Sequence, residues 1–397
     1  MKISKVVSAI PPSQTLAIDA KAKALVADGK DVVSFGPGEP DFDTPEAVKN
    51  AAKAALDAGL TKYSPAPGFP ELRKAIATHY QRDYGLAYEP AETLVTCGGK
   101  HAIFEAFLAL LDPGDEVIVP APYWVSYPPM VEIAGGKPVI VTTDESTGFT
   151  LTPEALGAAI TPRTRMLVLN SPSNPTGAAY PRAALEALAK VVVERDIVVL
   201  TDEIYEYLVY DGFEFVPFVS VAPGLKERTI IVSGFSKTFA MTGWRLGYAL
   251  GPKEFVSACA ALQSQSTSNM PTFAQKAAVT ALALTAGDLA PMIDAFARRR
   301  ELILRLLTAI PGVTCFRPQG AFYVFPNVSA YYGKRDGDRV IENSFDLSDY
   351  LLEKALVAVV PGGAFGADAN VRLSYALGDA DIERGIGRIA DALAALR

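Results

Sequence analysis

Residues Thr229–Arg245 read TIIVSGFSKTFAMTGWR. The β-branched run Thr229–Val232 has the composition of a short buried strand, and Ser233 and Gly234 interrupt it. Lys237 then falls among small and polar neighbours, with Arg245 eight positions further on. A solvated surface lysine has no need of such neighbours, and a core excludes an unpaired ammonium. A lysine at a strand end with room around it is instead placed to react.

Outward from this stretch the pattern repeats. Strand-like runs occur at Glu92–Thr96, Glu116–Val119, Pro138–Val141, Arg165–Leu169 and Ile197–Thr201, and another follows at Arg245–Leu250. Helical patterns such as Pro181–Glu194 lie between several of them. This alternation predicts an α/β fold with a mostly parallel sheet covered on both faces. The run Arg245–Leu250 has no helix before it and is expected to lie antiparallel. Upstream, Thr44-Pro45-Glu46 reads as the N-cap, first-turn proline and first-turn acid of a helix ended at Gly59. Phe69–Tyr84 reads as a helix ended at Gly85. Beyond Glu254 long helices dominate, with Pro291–Leu307 the clearest, and short strands fall around Ala321–Pro326 and Val371–Tyr375. The expected division is an N-terminal arm with part of a small domain over 1–45, a large domain over 46–290 and a smaller α+β domain over 291–397.

Composition removes several classes of function. The 397 residues carry 37 basic and 44 acidic side chains, a net charge of −7, so there is no basic footprint for nucleic acid. Cys97, Cys259 and Cys315 are spaced too widely for a metal site or a disulfide framework. The first residues, MKISKVVSAIPPSQ, hold too short an apolar segment for a signal peptide, and no apolar run is long enough to span a bilayer. A reduced, cytoplasmic setting is the expectation. His79 lies in a charged amphipathic helix and is expected at the surface; His101 directly follows GGK and reads as packing or as support for a neighbouring site. With only two histidines, a serine–histidine hydrolase or a zinc enzyme is disfavoured.

In open α/β sheets, ligands sit beyond the carboxyl ends of the strands. There the sequence places CGGK (Cys97–Lys100), PAPYW ending at Trp124, NSPSNPTG (Asn170–Gly177), DEIY (Asp202–Tyr205) and SGFSK ending at Lys237. Gly98 and Gly99 at a helix start offer backbone N–H groups to an anion such as phosphate, or form a plain turn. Arg245 adds a bidentate cation or a surface salt bridge. Asp202 follows an apolar strand, and its partner is either a protonated ring nitrogen or a neighbouring basic side chain. Trp124 stacks on a flat ring or fills the core, and Tyr205 joins the site or the core. Taken together, a lysine near a phosphate cradle, an aromatic plate and a buried acid fits covalent attachment of pyridoxal phosphate. Desolvation lowers the lysine pKa and frees its amine for attack. The spacing of a Walker A loop is absent, and GPGEP at Gly36–Pro40 is no dinucleotide fingerprint.

The stretch GFSKTFAMTGWRLG (Gly234–Gly247) resembles the lysine-attachment motif of the class I aminotransferases of fold type I. NSPSNPTG, TDEIY, KYSPAPGFPELR (Lys62–Arg73), CGGK, PYW, FGPGEPDFDTP and VRLSYA extend the resemblance over nearly the whole chain. The similarity is greatest to the bacterial aspartate aminotransferase branch that includes aspartate/prephenate aminotransferases. It implies that Lys237 holds pyridoxal 5'-phosphate, Asp202 pairs with the pyridinium nitrogen, and Tyr205 and Asn174 bond the ring hydroxyl. It further implies that Trp124 stacks on the ring, and that Gly98, Gly99, the Lys100 backbone, Ser236 and Arg245 hold the phosphate. Tyr63 would reach the phosphate of a partner subunit, making a homodimer with shared active sites. Arg372 and the Gly38 backbone would bind the substrate α-carboxylate; Lys100 and Thr15 would bind a distal carboxylate. The implied substrates are amino acids and 2-oxo acids, aspartate and glutamate first, with prephenate or aromatic substrates as the alternative. One departure stands out: a serine found in related enzymes three residues before the lysine is Gly234 here, which leaves Ser236 or Ser233 for the phosphate. A β-lyase on the same frame stays open. Aminotransferase-like regulators carry an additional DNA-binding domain, for which neither spare length nor a basic helix is expected here, and an inactive homologue is at odds with intact Lys237, Asp202 and Arg372.

Overall fold

The computed structural model describes residues 1–10 and 14–397, the side chains at 14–16 and 19 excepted. The side chain of Thr15 therefore lies outside the described residues.

The central sheet has seven strands: β1 (Thr93–Thr96), β2 (Glu116–Ala121), β3 (Lys137–Thr142), β4 (Thr164–Asn170), β5 (Val198–Asp202), β6 (Thr229–Gly234) and β7 (Gly247–Leu250). Their order is β1-β7-β6-β5-β4-β2-β3. β7 is antiparallel to both neighbours, and every other pair is parallel. The expected run Arg245–Leu250 thus loses its first two residues, because Arg245 adopts a left-handed φ of 55° at the end of a turn.

Side-chain parity explains why these runs lie inside. Val117 and Val119, Met166 and Val168, Leu200, Ile230 and Val232 pack on one face, with Ile103, Phe107 and Phe255. Ile118, Leu167 and Leu169, Val199 and Ile231 point to the other face, with Leu72, Ile76, Leu185 and Leu188. Successive residues alternate sides of a strand, so strands apolar at every position must be covered twice. Helices α1 (Pro70–Tyr84), α2 (Gly99–Leu110) and α3 (Arg182–Arg195) contribute to that cover. α1 ends at Gly85, whose φ of 69° needs no Cβ penalty.

A second core gathers the C-terminal part. β8 (Tyr323–Val324), β9 (Val360–Pro361) and β10 (Val371–Ser374) form a small antiparallel sheet, β9-β10-β8. Val33–Ser34 pairs in parallel with Val357–Ala358, so the early segment joins this part of the molecule. Phe35, Phe296, Phe322, Leu373 and Ile386 share one cluster, which also takes in Tyr205 and Leu208 from the loop after β5.

Three expectations need correcting. Thr44 is no N-cap: its hydroxyl donates to the Ala240 carbonyl (2.7 Å) and accepts from the Trp244 indole (3.0 Å), which ties the segment to the lysine loop. The helix expected from Pro291 begins earlier and forms α4 (Ala286–Thr308). The Asp288 carboxylate accepts from the Thr285 N–H at 2.8 Å and its hydroxyl at 2.7 Å, fixing the earlier start. His79 is not at the surface but 2% exposed, with Nδ1 2.9 Å from Asp83 and Nε2 3.8 Å from Glu206. Burial opposes its charge, but the hydrogen bonds and charges of Asp83 and Glu206 outweigh it and raise the pKa to about 9.

Candidate active site

The carboxyl ends of β1, β4, β5 and β6 open onto one cleft of about 450 Å³. It is lined by Gly38, Gly99, Lys100, Trp124, Asn174, Asp202, Tyr205, Ser236, Lys237, Arg245 and Arg372, all singled out in the sequence. Tyr63 is not brought there; its side chain is 90% exposed on the outside of the single chain. His101 does not line the cleft either, and its Nδ1 rests 3.5 Å from Glu105.

The turn after β1 is built by missing side chains. Gly98 has a φ of 80°, and a Cβ there would stand 2.6 Å from a guanidinium nitrogen of Arg245. A Cβ on Gly247 would meet the Gly99 nitrogen at 2.3 Å. These glycines let β7, the start of α2 and Arg245 close on one another, so helix N–H groups and a cation share one spot. Arg245 is held by donating to the carbonyls of Thr242 (2.9 Å) and Cys97 (3.2 Å). Gly234 has a similar reason: a Cβ there would come within 2.9 Å of the Gly247 Cα, so a serine does not fit. Of the two remaining serines, Ser233 is fully buried and donates to Glu206 (3.1 Å), away from the cleft, while Ser236 lines it.

Asp202, 7% exposed at the end of β5, accepts from the Tyr127 hydroxyl at 2.6 Å and more weakly from the Ile204 N–H at 3.4 Å. Burial pushes its pKa up to about 6, with the Tyr127 hydrogen bond opposing the rise. Lys237 donates to the Gly38 carbonyl. Although part of its surface opens to the cleft, desolvation brings its pKa down to about 8. The Lys100 ammonium sits 4.8 Å above the Trp124 ring, its pKa lowered by desolvation and by Arg245.

Arg372 on β10 is 3% exposed. It donates to the Asn174 side-chain oxygen (3.0 Å) and the Gly36 carbonyl (2.5 Å), and its Nε has no hydrogen-bond partner among the described residues. Among the described residues it has no carboxylate partner, so its charge is left for an anion in the cleft. Asn170 accepts from the Asn174 N–H (2.8 Å) and donates to the Asp202 carbonyl (2.9 Å), locking two of these loops together.

Sequence reasoning missed Tyr127 and Tyr323. Tyr127 lies three residues after Trp124 on a short helix and bonds Asp202. Tyr323 on β8 lines the cleft, its hydroxyl 2.8 Å from that of Tyr205. A tyrosine inside FYVF reads as plain strand core, and no local signal set it apart.

A cleft with a desolvated lysine, a buried acid, an anion cradle and an unpaired buried arginine defines an enzyme of group transfer on small anionic substrates. The chain matches the family Aminotransferase class I and II over residues 30–389, and it belongs to that family. It is 50% identical to the aspartate/prephenate aminotransferase of Cereibacter sphaeroides, covering 98% of this chain and 97% of that one. It is also 50% identical to the aspartate aminotransferase of Streptomyces avermitilis, over 98% of this chain and 95% of that one. Among solved structures, the aspartate aminotransferase from Rhizobium meliloti superposes with a TM-score of 0.97 at 48% identity, covering all of both chains. That of Thermus thermophilus with maleate gives a TM-score of 0.93 at 48% identity over 99% of this chain and 100% of that one. Among the described residues no single helix is long and apolar enough to cross a membrane.

Proposed function

We propose that the protein is a pyridoxal-phosphate-dependent aspartate aminotransferase, moving the amino group of L-aspartate to 2-oxoglutarate in a ping-pong cycle. The observation that carries the reading is the buried, acid-free Arg372 facing the same cleft as desolvated Lys237. The residues fit the cofactor. The Gly98–Gly99 helix start with Arg245 suits a phosphate, Trp124 offers a flat face, and Asp202 is a buried carboxylate without a basic hydrogen-bond partner among the described residues. When bound, pyridoxal phosphate supplies an aldehyde that captures amines and a ring that accepts electrons.

The chain's own residues do the rest. Lys237 would hold the cofactor covalently and would serve as the base for the Cα proton of the amino acid. With a pKa of about 8, roughly a tenth of such an amine is neutral at pH 7. Asp202, ionised at neutral pH, would keep the ring nitrogen protonated, and Tyr127 orients that carboxylate. Asn174 and Tyr205, which line the cleft, would bond the ring hydroxyl, and Ser236 would join the phosphate donors. Arg372 grips the α-carboxylate and the Gly38 backbone closes over it. Lys100, with Thr15, reads a second carboxylate. Tyr63, exposed in one chain, would reach the cofactor phosphate of a second copy in a homodimer. We divide the chain near Pro45 and Ala290 and place it in the cytoplasm.

The name of the Cereibacter sphaeroides relative favours a second acceptor, prephenate. The test is formation of each donor's own 2-oxo acid, oxaloacetate from L-aspartate, with 2-oxoglutarate or prephenate as acceptor in separate reactions and L-alanine and L-phenylalanine as control donors. Faster turnover with aspartate than with either control supports the reading. Turnover confined to the controls, or pyruvate and ammonia released from cystathionine, sinks it.

A further inference from the structure

Tyr323 has no role in the scheme above, yet three parts of the cleft meet on it. Its hydroxyl lies 2.8 Å from that of Tyr205. Its ring lies 4.7 Å from the Arg372 guanidinium carbon. A Cβ on Gly38 would stand 2.7 Å from the same hydroxyl. The residue is fully buried on β8, beside β10, which carries Arg372.

One proton lies between the two phenol oxygens, and the donor must be assigned. Among the described residues the Tyr323 hydroxyl has no hydrogen-bond partner other than Tyr205. Its proton is therefore best used toward the Tyr205 oxygen. Tyr205 then keeps its own proton for an acceptor in the cleft, and a hydroxyl that accepts a hydrogen bond is a stronger donor. The opposite direction would leave Tyr205 with nothing to give.

We propose that Tyr323 is a positioning residue with two separable parts. Its hydroxyl donates to Tyr205 and turns the Tyr205 proton toward the ring hydroxyl of the cofactor, and its ring face holds Arg372 for the substrate carboxylate. The proposal rests on the cofactor reading above. The charged groups facing the pair are Arg372 and Asp202, with Lys237 6.0 Å above the Tyr205 ring and flanked by Glu39 and Arg245. Tyr323→Phe leaves all of them in place and keeps the ring.

The test uses the cofactor-loaded protein without substrate. Visible absorbance is titrated against pH, and the dissociation constant of maleate, an unreactive dicarboxylate, is measured separately. In Y323F the weaker donor at Tyr205 lets the ring oxygen hold its proton longer, so the midpoint rises by about half a pH unit while maleate affinity is unchanged. In Y323L the midpoint moves likewise and maleate affinity falls about fivefold, the loss of one buried cation–π contact. If Y323L does not fold, Tyr323→Met takes its place. An unmoved midpoint in Y323F overturns the hydroxyl part. Equal maleate affinity in Y323F and the aliphatic variant overturns the ring part. If wild type gains no visible band on loading, the cofactor assignment fails, and the proposal with it.

Discussion

Asp202→Asn separates what the acid costs the fold from what it gives the chemistry. The side chain keeps its size and still accepts from Tyr127, but it cannot ionise. Asp202 has an ordinary pKa of 3.8, raised in the fold to about 6 chiefly by burial. Its neutral form is therefore favoured by folding. The stability it contributes is complete below pH 4 and is lost as the pH rises through 6. The shift corresponds to about 3 kcal/mol of lost stability at pH 7. Urea unfolding of the cofactor-free protein from pH 4 to pH 8 measures it. D202N should match wild type near pH 4 and exceed it by up to about 3 kcal/mol at pH 7. Loading the cofactor should narrow or reverse the gap, because only the carboxylate gains a charged partner. Turnover of D202N should fall by at least about a hundredfold, as expected when a buried charge pair at the reacting ring is lost. A constant difference at every pH, or a less stable variant at pH 7, would refute the burial argument.

Other consequences are as direct. Lys237→Ala should abolish transamination, yet the cofactor-free variant should melt at or above the wild-type temperature, since a desolvated ammonium is removed. Lys100→Ala should lower kcat/KM for aspartate by about ten- to a hundredfold, the loss of a charge-assisted contact, while alanine is little affected; equal losses would mean that Lys100 does not read the distal carboxylate. Tyr127→Phe removes a 2.6 Å hydrogen bond that lowers the Asp202 pKa, so the acid limb of the pH–rate profile should move to higher pH; an unmoved limb would remove Tyr127 from the site.

Much of this was legible because the chemistry sits where the chain punctuates itself. Each strand that opens on the cleft is an apolar run stopped by glycine, proline or a polar residue, and the stop is the segment that lines the cleft. Asp202 and Lys237 were visible in that way. Tyr127 and Tyr323 were not, because each earns its place through a partner distant in sequence: Asp202 lies 75 residues from Tyr127, and Tyr205 lies 118 from Tyr323. His79 looked like a surface residue because charged neighbours surround it in sequence. In the fold its neighbour Asp83, four residues on, and Glu206, distant in sequence, both face the buried ring. Thr44 has the ideal pattern of a cap, and a tertiary bond to Ala240 overrode it.

The central claim is that Lys237 is the residue that holds the cofactor. The protein should be loaded with pyridoxal phosphate, reduced with borohydride, digested and examined by peptide mass spectrometry. A phosphopyridoxyl group on the peptide containing Lys237, and its disappearance in Lys237→Ala, is the expected result. Label on Lys100 or on surface lysines instead, or no label at all, would contradict the account.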